Sequence, residues 1–234
     1  TTDGAHHQGA FRVPDVCVDI ECGLVSMELD PDFATNQFLY VGYCHQDPTQ
    51  VKVARLRFDA SDPVHTAETL APVIAVDAPG GKPWHTVGAI VFDSDKRLWI
   101  LTGERGLGAP AGQLDSLLGA ALCIIPNRNP GESGYRLPDG NPRAHWYMRG
   151  RDELFAKGLR NPWTAAFDPL GRLWIGDVGE RFEELNLLDP RRGYHDFGWP
   201  AHDGRCDYGC RGAVSPVIAY TRSGDHPYFQ EDPG

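Results

Sequence analysis

The residues best suited to chemistry lie in two short runs on either side of an apolar hairpin pattern. The first is GLRNPW at 158–163, which places Arg160 and Asn161 directly before an apolar stretch, and the second is GDVGE at 176–180. A cation, an amide and the free carbonyl groups of a glycine turn can converge on one ligand. Such a set is typical of a site that holds an anionic cofactor together with a hard metal ion. The elements on either side must therefore bring both runs to one place.

A second candidate is His85, which follows a loop rich in glycine and proline at 78–83 and precedes another apolar stretch. Histidine is the side chain whose ordinary pKa suits proton abstraction near neutrality. Taken alone, a single histidine is more often structural or exposed. An arginine is likewise more often a solvated surface residue, and Asn-Pro commonly begins a turn. The acidic pair Glu183-Glu184 could equally be a solvated surface pair without a function in binding.

The elements that would position these residues form a repeated pattern. An apolar strand, a turn centred on an aspartate and a second apolar strand together predict a β-hairpin. The pattern occurs three times: Leu24–Asp30 with Phe38–Tyr43, Gly88–Asp93 with Leu98–Thr102, and Thr164–Asp168 with Leu173–Gly176. The turn aspartates are spaced more widely than the roughly 40 to 50 residues of common propeller repeats, so long loops are expected between hairpins.

Further β-prone runs follow each hairpin and predict outer strands, at Val51–Asp59, Ala121–Ile125, Glu184–Leu188 and Val217–Tyr220. Radial repetition of four-stranded sheets, an all-β propeller, is the architecture that this favours. No linker is evident, so residues 1–234 are expected to form one domain or the central part of one. Leu114–Leu122 fits either a short helix or a buried strand.

Charge and length exclude several classes of function. The chain has 234 residues and a net charge of -10 at pH 7, which argues against binding to nucleic acid or to an anionic membrane surface. Small neutral or cationic partners fit better. The apolar run from Leu117 to Pro126 is shorter than the roughly 20 residues that cross a bilayer. The chain begins at Thr1 and is expected to be a processed form or a fragment.

The 6 cysteines lack zinc-site spacing and favour disulfides, hence a periplasmic or extracellular location. Cys206 and Cys210 flank a short turn and are predicted to be bridged. The other four, Cys17, Cys22, Cys44 and Cys123, can pair in three ways or remain buried free thiols.

The runs GLRNPW and GDVG resemble the signature of the soluble glucose/sorbosone dehydrogenases, which depend on pyrroloquinoline quinone (PQQ), and the similarity extends from about Gly23 to Pro200. Members of that family are six-bladed β-propellers that use PQQ and calcium. The resemblance implies that this chain covers about the central four blades. It implies oxidation of the anomeric hydroxyl of an aldose, with an external electron acceptor.

The resemblance also implies roles for particular residues. His85 would take the proton from the sugar while hydride passes to the quinone, and Glu104 stands where the family commonly has an aspartate beside the base. Arg160 would lie beside the quinone oxygens and Asn161 would orient the cofactor. Glu21 stands where the family often has a glutamine near sugar and cofactor.

Calcium ligands follow from the same resemblance. One calcium would bind the carbonyl groups of Gly179 and Glu180 and bridge to the cofactor. A second would bind the Glu184 carboxylate and the Phe197 carbonyl. Hard cations prefer such oxygen ligands.

A non-enzymatic alternative remains open, because fold does not decide function. Hedgehog-interacting proteins resemble the same propeller, contain disulfides and bind a protein partner. A lectin-like sugar-binding propeller is a third possibility, supported only by tryptophan-rich loops.

Overall fold

The computed structural model describes residues 12–46, 50–142, 150–206, 209–210 and 212–221. Within these residues the strands form three sheets, and each sheet is built on one of the three predicted hairpins. The repeated pattern of apolar strand, aspartate turn and apolar strand is therefore confirmed as a repeated structural unit. Outer strands and loops fill the wide spacing between the turn aspartates, so three sheets are present among the described residues where about four blades were expected.

The first sheet is an antiparallel meander in chain order. Its strands are β1 (Leu24–Leu29), β2 (Phe38–Cys44), β3 (Gln50–Arg57) and β4 (Ala71–Asp77). A short helix, α1 (Phe33–Asn36), lies in the first turn, and α2 (Pro63–Glu68) joins β3 to β4. The Asp62 carboxylate caps α2 by accepting the N–H of His65, as helix N-caps commonly do.

The second sheet begins with the hairpin of β5 (Val87–Phe92) and β6 (Leu98–Thr102) and continues through β7 (Ala120–Pro126) to β9 (Leu154–Lys157), with β8 (Tyr135–Arg136) paired separately to β7. The loop between β6 and β7 contains a 3-10 helix at Ala109–Gly112. Of the two alternatives for residues 114–122, the short helix is absent. Leu117 and Leu118 are instead buried in a loop that leads into β7, so the buried-strand alternative is the closer one.

The third sheet contains β10 (Pro162–Phe167), β11 (Leu173–Val178), β12 (Phe182–Leu188) and β14 (Ile218–Thr221). Between β12 and β14 the chain passes a 3-10 helix at Pro190–Arg192 and then leaves this sheet. There it forms β13 (His195–Asp196), which pairs in parallel with β9 at the outer edge of the second sheet. The second and third sheets are thus interleaved in sequence.

The sheets pack face to face with the second sheet in the middle, where β5 contacts both β1 and β10. All five residues of β6 are buried, and because side chains alternate along a strand, its two faces enter different cores. Ile100 packs with Tyr40 and Val53 of the first sheet. Trp99 packs with Ile175 of the third sheet. This stacking makes the three hairpins neighbouring blades.

The aspartate turns share a hydrogen-bonding arrangement. Asp93 Oδ2 accepts hydrogen bonds from Arg97 Nε (2.6 Å) and Trp99 Nε1 (2.8 Å). The third hairpin repeats this with Asp168, Arg172 Nε (2.7 Å) and Trp174 Nε1 (3.1 Å). In the first hairpin the Asp30 carboxylate instead accepts from Asn36, Tyr40 and Arg128. A hydrogen-bonded aspartate closes each turn, as the sequence predicts.

The predicted bridge between Cys206 and Cys210 is present, with the two Cα atoms 5.7 Å apart. The remaining cysteines carry free thiols, which agrees with the free-thiol alternative. In the described parts of the chain, no helix combines the length and apolar character needed to cross a bilayer.

Candidate active site

The predicted catalytic and cofactor-binding residues gather at the ends of the hairpins opposite the aspartate turns. Glu21 precedes β1, His85 precedes β5 and Arg160 precedes β10, while Glu104 follows β6. Since β1, β5 and β10 are neighbouring strands, the residues before them meet at one end of the stack. A backbone hydrogen bond from the Glu104 N–H to the Arg160 carbonyl (3.0 Å) joins the second and third hairpins there.

His85 Nδ1 forms a buried hydrogen bond with Glu104 Oε1. The N–H groups of Gly106 and Gly108 also donate to the Glu104 carboxylate. Although burial opposes ionisation, the hydrogen bond from His85 and those from the two amides lower the pKa of Glu104. The ionised carboxylate can only accept, so Nδ1 carries a proton, and in the neutral ring the lone pair is then on Nε2. That is the tautomer that a proton acceptor needs.

The backbone of His85 is fixed by contacts of its own, in addition to those of the ring. Its N–H donates to Glu21 Oε2 (2.6 Å), and its φ of 52 lies in the left-handed region that non-glycine residues seldom adopt. A Cβ atom at Gly103 would clash with the His85 carbonyl, so glycine is required there. Such strained positions concentrate at functional sites, where surrounding contacts enforce them.

Asp177 fixes the backbone of the GLRNPW run, and this residue was missed as a candidate. Its carboxylate accepts the N–H of Arg160 (2.9 Å) and the N–H of Asn161 (2.6 Å). The Val178 N–H returns a hydrogen bond to the Asn161 carbonyl (3.0 Å). The available signal was its place as the acid of GDVG at the end of a strand.

The Arg160 guanidinium reaches across to the glycine turn. Its Nη1 donates to the carbonyls of Val178 (2.9 Å) and Gly179 (3.0 Å), and it stacks 5.3 Å from the ring centroid of Trp199. A Cβ atom at Gly179 would clash with the Phe182 carbonyl, so only glycine permits this turn. The structure therefore brings together Arg160, Asn161 and Gly179, as predicted.

A second acidic centre lies beside them, where Asp177 and Glu184 face each other across β11 and β12. Burial, reinforced by the charge of Glu184, raises the pKa of Asp177 to about 7. Burial also raises the pKa of Glu184. Glu184 accepts hydrogen bonds from Gly204 N–H (2.6 Å) and Asn186 Nδ2 (3.0 Å), so it is not the freely solvated acid of the alternative interpretation.

Several buried polar atoms near these groups lack partners among the described residues: Asn161 Oδ1, Asn186 Oδ1 and Trp199 Nε1. Buried polar groups are normally paired, so orphaned atoms next to Arg160 fit a site that receives a polar ligand. Two of the three are oxygens, the atom type that calcium prefers. These groups are of the type that an anionic quinone and a hard cation would use, and the binding of PQQ and calcium here stays a prediction. Among the described side chains, no cluster of three or more His, Cys, Asp or Glu is arranged to hold a metal.

The remaining predicted calcium ligands are less closely connected. Glu180 is exposed, although it follows the buried Gly179, and its N–H donates to Asp203 Oδ1 (3.3 Å). Phe197 is buried between the second and third sheets, and its N–H donates to the Lys157 carbonyl (2.9 Å). Metal binding by Gly179, Glu180, Glu184 and Phe197 stays a prediction.

Packed blades of four to six strands, with loop residues converging at one end, define a β-propeller-type protein. Residues 1–229 match the family described as Glucose / Sorbosone dehydrogenase. The chain belongs to this family, as the resemblance of its motifs predicts.

Two relatives show the range of similar proteins. Aldose sugar dehydrogenase YliI of Escherichia coli (strain K12) is 31% identical over 195 residues, covering 80% of this chain and 48% of the relative. HIPL1 protein of Arabidopsis thaliana is 30% identical over 139 residues, covering 51% of this chain and 19% of the relative. The chain thus spans about half the length of YliI and about a fifth of the length of HIPL1 protein.

Solved structures agree with the fold. The PQQ-bound form of aldose sugar dehydrogenase from Streptomyces coelicolor is 27% identical, with a TM-score of 0.69 over 90% of this chain and 57% of that one. The apo form of the soluble aldose sugar dehydrogenase from Escherichia coli is 25% identical, with a TM-score of 0.74 over 90% of this chain and 61% of that one.

Proposed function

We propose that this chain belongs to a PQQ- and calcium-dependent dehydrogenase that oxidises the anomeric hydroxyl of an aldose. The observation that carries the proposal is the buried pair of His85 and Glu104, bonded through the Glu104 backbone to Arg160. It supports a proton acceptor and a fixed cation acting together at one end of adjacent strands. Membership of the family supports the same activity.

His85 Nε2 would accept the proton of the anomeric hydroxyl as the C–O bond gains double-bond character. Glu104 would stabilise the imidazolium that forms, because an ionised carboxylate already holds Nδ1–H. Glu21 would keep the ring in place through the backbone of His85. A positioned general base of this kind contributes about 10²–10⁴ in rate.

Arg160 and Asn161 would bind the anionic cofactor, and the carbonyls of Gly179 and Glu180 would hold the first calcium. Arg160 occupies one lone pair of the Gly179 carbonyl, and a carbonyl oxygen has two. Glu184 and Phe197 would bind the second calcium. Bound PQQ would supply the acceptor for the electron pair and hydrogen of the anomeric C–H bond.

The proposal extends to the location of the protein, its electron acceptor and its domain organisation. The protein would act in the periplasm or outside the cell, which suits the disulfide between Cys206 and Cys210, and an external acceptor would reoxidise the cofactor. Residues 1–234 would belong to one propeller domain.

The test uses the full-length protein titrated with PQQ in calcium-containing buffer. Absorbance of the bound quinone should appear, and an aldose should bleach it. His85→Ala should slow bleaching by about 10²–10⁴ with cofactor affinity almost unchanged, since a neutral imidazole contributes little to holding an anion. Arg160→Ala should weaken both binding and bleaching, because its charge acts on the bound cofactor throughout the reaction.

A second candidate is a Hedgehog-interacting-like propeller that binds a protein partner. The match to HIPL1 protein favours it, since that match reaches 30% identity over half of the chain. If the wild-type protein binds no PQQ, the dehydrogenase proposal is wrong and this second candidate replaces it. If His85→Ala bleaches at the wild-type rate, His85 is not the proton acceptor.

A further inference from the structure

Three of the free cysteines meet beside the candidate active site. Cys22 and Cys44 belong to one apolar core against which Cys17 packs, and the Cys22 thiol interacts with both other thiols. Arg105 Nη1 lies 3.6 Å from Cys22 Sγ and 3.8 Å from Cys44 Sγ. The fourth, Cys123, is buried elsewhere, in the core between the second and third sheets.

Backbone hydrogen bonds hold the three cysteines in register. The Cys17 N–H donates to the Cys44 carbonyl (3.0 Å), and the Cys44 N–H donates to the Gly23 carbonyl (3.1 Å). A tight turn closed by the Cys22 N–H and the Asp19 carbonyl (2.6 Å) folds Cys22 back towards Cys17. The two thiols are thus brought together before any bond forms.

Access from solvent differs among the three. Cys17 is half-buried, whereas Cys22 and Cys44 are buried. A dissolved oxidant therefore reaches Cys17 first. Cys22, which the tight turn folds back towards Cys17 and which interacts with its thiol, is then placed to attack its sulfur.

The cluster is coupled to His85 on both sides. Glu21, which accepts the His85 N–H, is the chain neighbour of Cys22. Arg105, which contacts the Cys22 sulfur, follows Glu104 and donates its own N–H to the His85 carbonyl (3.1 Å). A change at Cys22 is therefore transmitted to both peptide groups of His85.

We infer that Cys17 and Cys22 form a redox-active modification site that exchanges with low-molecular-weight disulfides. The Cys17 thiolate attacks the external disulfide, forming a mixed disulfide and releasing one thiolate. The Cys22 thiolate then attacks the Cys17 sulfur, closes the intramolecular bond and releases the second thiolate. The two released thiolates take up the two cysteine protons, so the external disulfide is reduced by the electron pair that the cysteines lose.

The environment sets the rate of this exchange. Burial and the neighbouring Cys22 raise the pKa of Cys17, against a smaller opposing effect of Arg105. Burial raises the pKa of Cys44 to about 11, so Cys44 remains a thiol. Because the thiolate is the attacking species, the exchange should be faster at pH 8.5 than at pH 7.

The test treats the folded protein with oxidised glutathione at pH 8.5, quenches in acid, alkylates under denaturing conditions and maps peptides by mass spectrometry. A peptide pair joined through Cys17 and Cys22 is expected, with Cys44 and Cys123 alkylated. In the Cys22→Ser variant the reaction should stop at the mixed disulfide between glutathione and Cys17. The Cys123→Ser variant should form the same bond as wild type. A bond between Cys22 and Cys44, or no bond within this cluster, overturns the inference.

Hydrogen exchange tests the coupling to His85 without any cofactor. Closing the loop from Cys17 to Cys22 should restrict opening around Glu21, so the His85 amide should exchange about tenfold more slowly in the oxidised protein. Cys22→Ser should show no such change on treatment. Equal exchange in oxidised and reduced wild type would contradict the coupling while leaving the dehydrogenase proposal untouched.

Discussion

The two ends of the same hairpins use acidic residues in opposite ways. At the turn end, Asp168 accepts hydrogen bonds from Arg172 and Trp174, and despite the opposing effect of burial these donors lower its pKa to about 2. At the other end, Asp177 lies buried opposite Glu184, and its pKa rises to about 7. Both acids belong to the third hairpin, one at each end.

The difference teaches which end is built for stability and which for binding. Asp93 and Asp168 satisfy their charge with side chains of their own hairpins at the same spacing. Asp30 pairs in addition with Arg128, which follows β7 of the second sheet. Acids at the opposite end face another acid or a histidine and stand beside orphaned polar atoms. A site that is incomplete without a ligand is the kind that accepts one.

The largest expected effect comes from replacing an acid at the candidate site, and it is an effect on the rate of cofactor reduction. Glu104→Gln should lower the rate of cofactor reduction by aldose roughly a hundredfold, because the amide can donate to Nδ1 and turn the lone pair of His85 away from the sugar. Stopped-flow bleaching of PQQ in the full-length protein measures this. Asp93→Asn, at the turn end of the same hairpin, should retain the wild-type rate. Equal losses in the two variants would contradict the contrast.

Calcium should stabilise the protein through Glu184. At a free calcium concentration of 100 times Kd, wild type should gain about 2.7 kcal/mol in the free energy of unfolding per site. Glu184→Gln should lose the part due to the second site, because an amide oxygen replaces a charged ligand. The adjacent Glu183→Gln is the matched control and should keep the full gain. Urea unfolding with calcium and with a chelator gives both values, and a full gain in Glu184→Gln would remove this residue from the ligand set.

Loss of a turn-end acid should reduce stability alone. Asp93→Ala should cost about 1–3 kcal/mol in the free energy of unfolding, because the indole N–H of the buried Trp99 then lacks its acceptor. Asp168→Ala should cost less, because Trp174 is only half-buried. Denaturant unfolding at pH 7 tests the order, and a larger loss for Asp168→Ala would show that burial of the indole does not control the cost.

The smallest expected effect is a pH dependence at Glu104. Its pKa is lowered from the usual 4.5 in the folded protein, so the ionised form stabilises the fold above pH 4.5. That contribution is lost as the pH falls through the lowered value. The stability difference between wild type and Glu104→Gln should therefore be constant near neutrality and shrink below pH 4.5. A difference that grew on acidification would reverse the assigned direction.

Much of this arrangement is predictable from sequence because it depends on local patterns. The repeat of apolar strand, aspartate and apolar strand predicts three hairpins, and hairpin geometry puts residues that precede one strand beside those that follow the next. His85 and Glu104 are thereby predicted to share an end. The GLRNPW run places Arg160 in the same way.

The remainder depends on contacts between distant segments, which no local pattern encodes. Asp177 orients the backbone of Arg160 only because the chain bends before β10. The GDVG run that contains Asp177 does not reveal that bend. The thiol cluster requires Cys22 and Arg105 to meet from different blades. The sequence left residues 114–122 open between a short helix and a buried strand, because burial against the blades, which decides between them, is not encoded in the local spacing.

The two-residue strand β13 has a consequence for how the protein unfolds. After three strands of the third sheet are complete, the chain pairs once with β9 of the second sheet and only then returns to supply β14. The outer edge of the second sheet is therefore held by the segment that connects β12 to β14 of the third sheet. The two sheets should therefore melt in a single cooperative transition, and pulling from the β14 end should register one force peak for both.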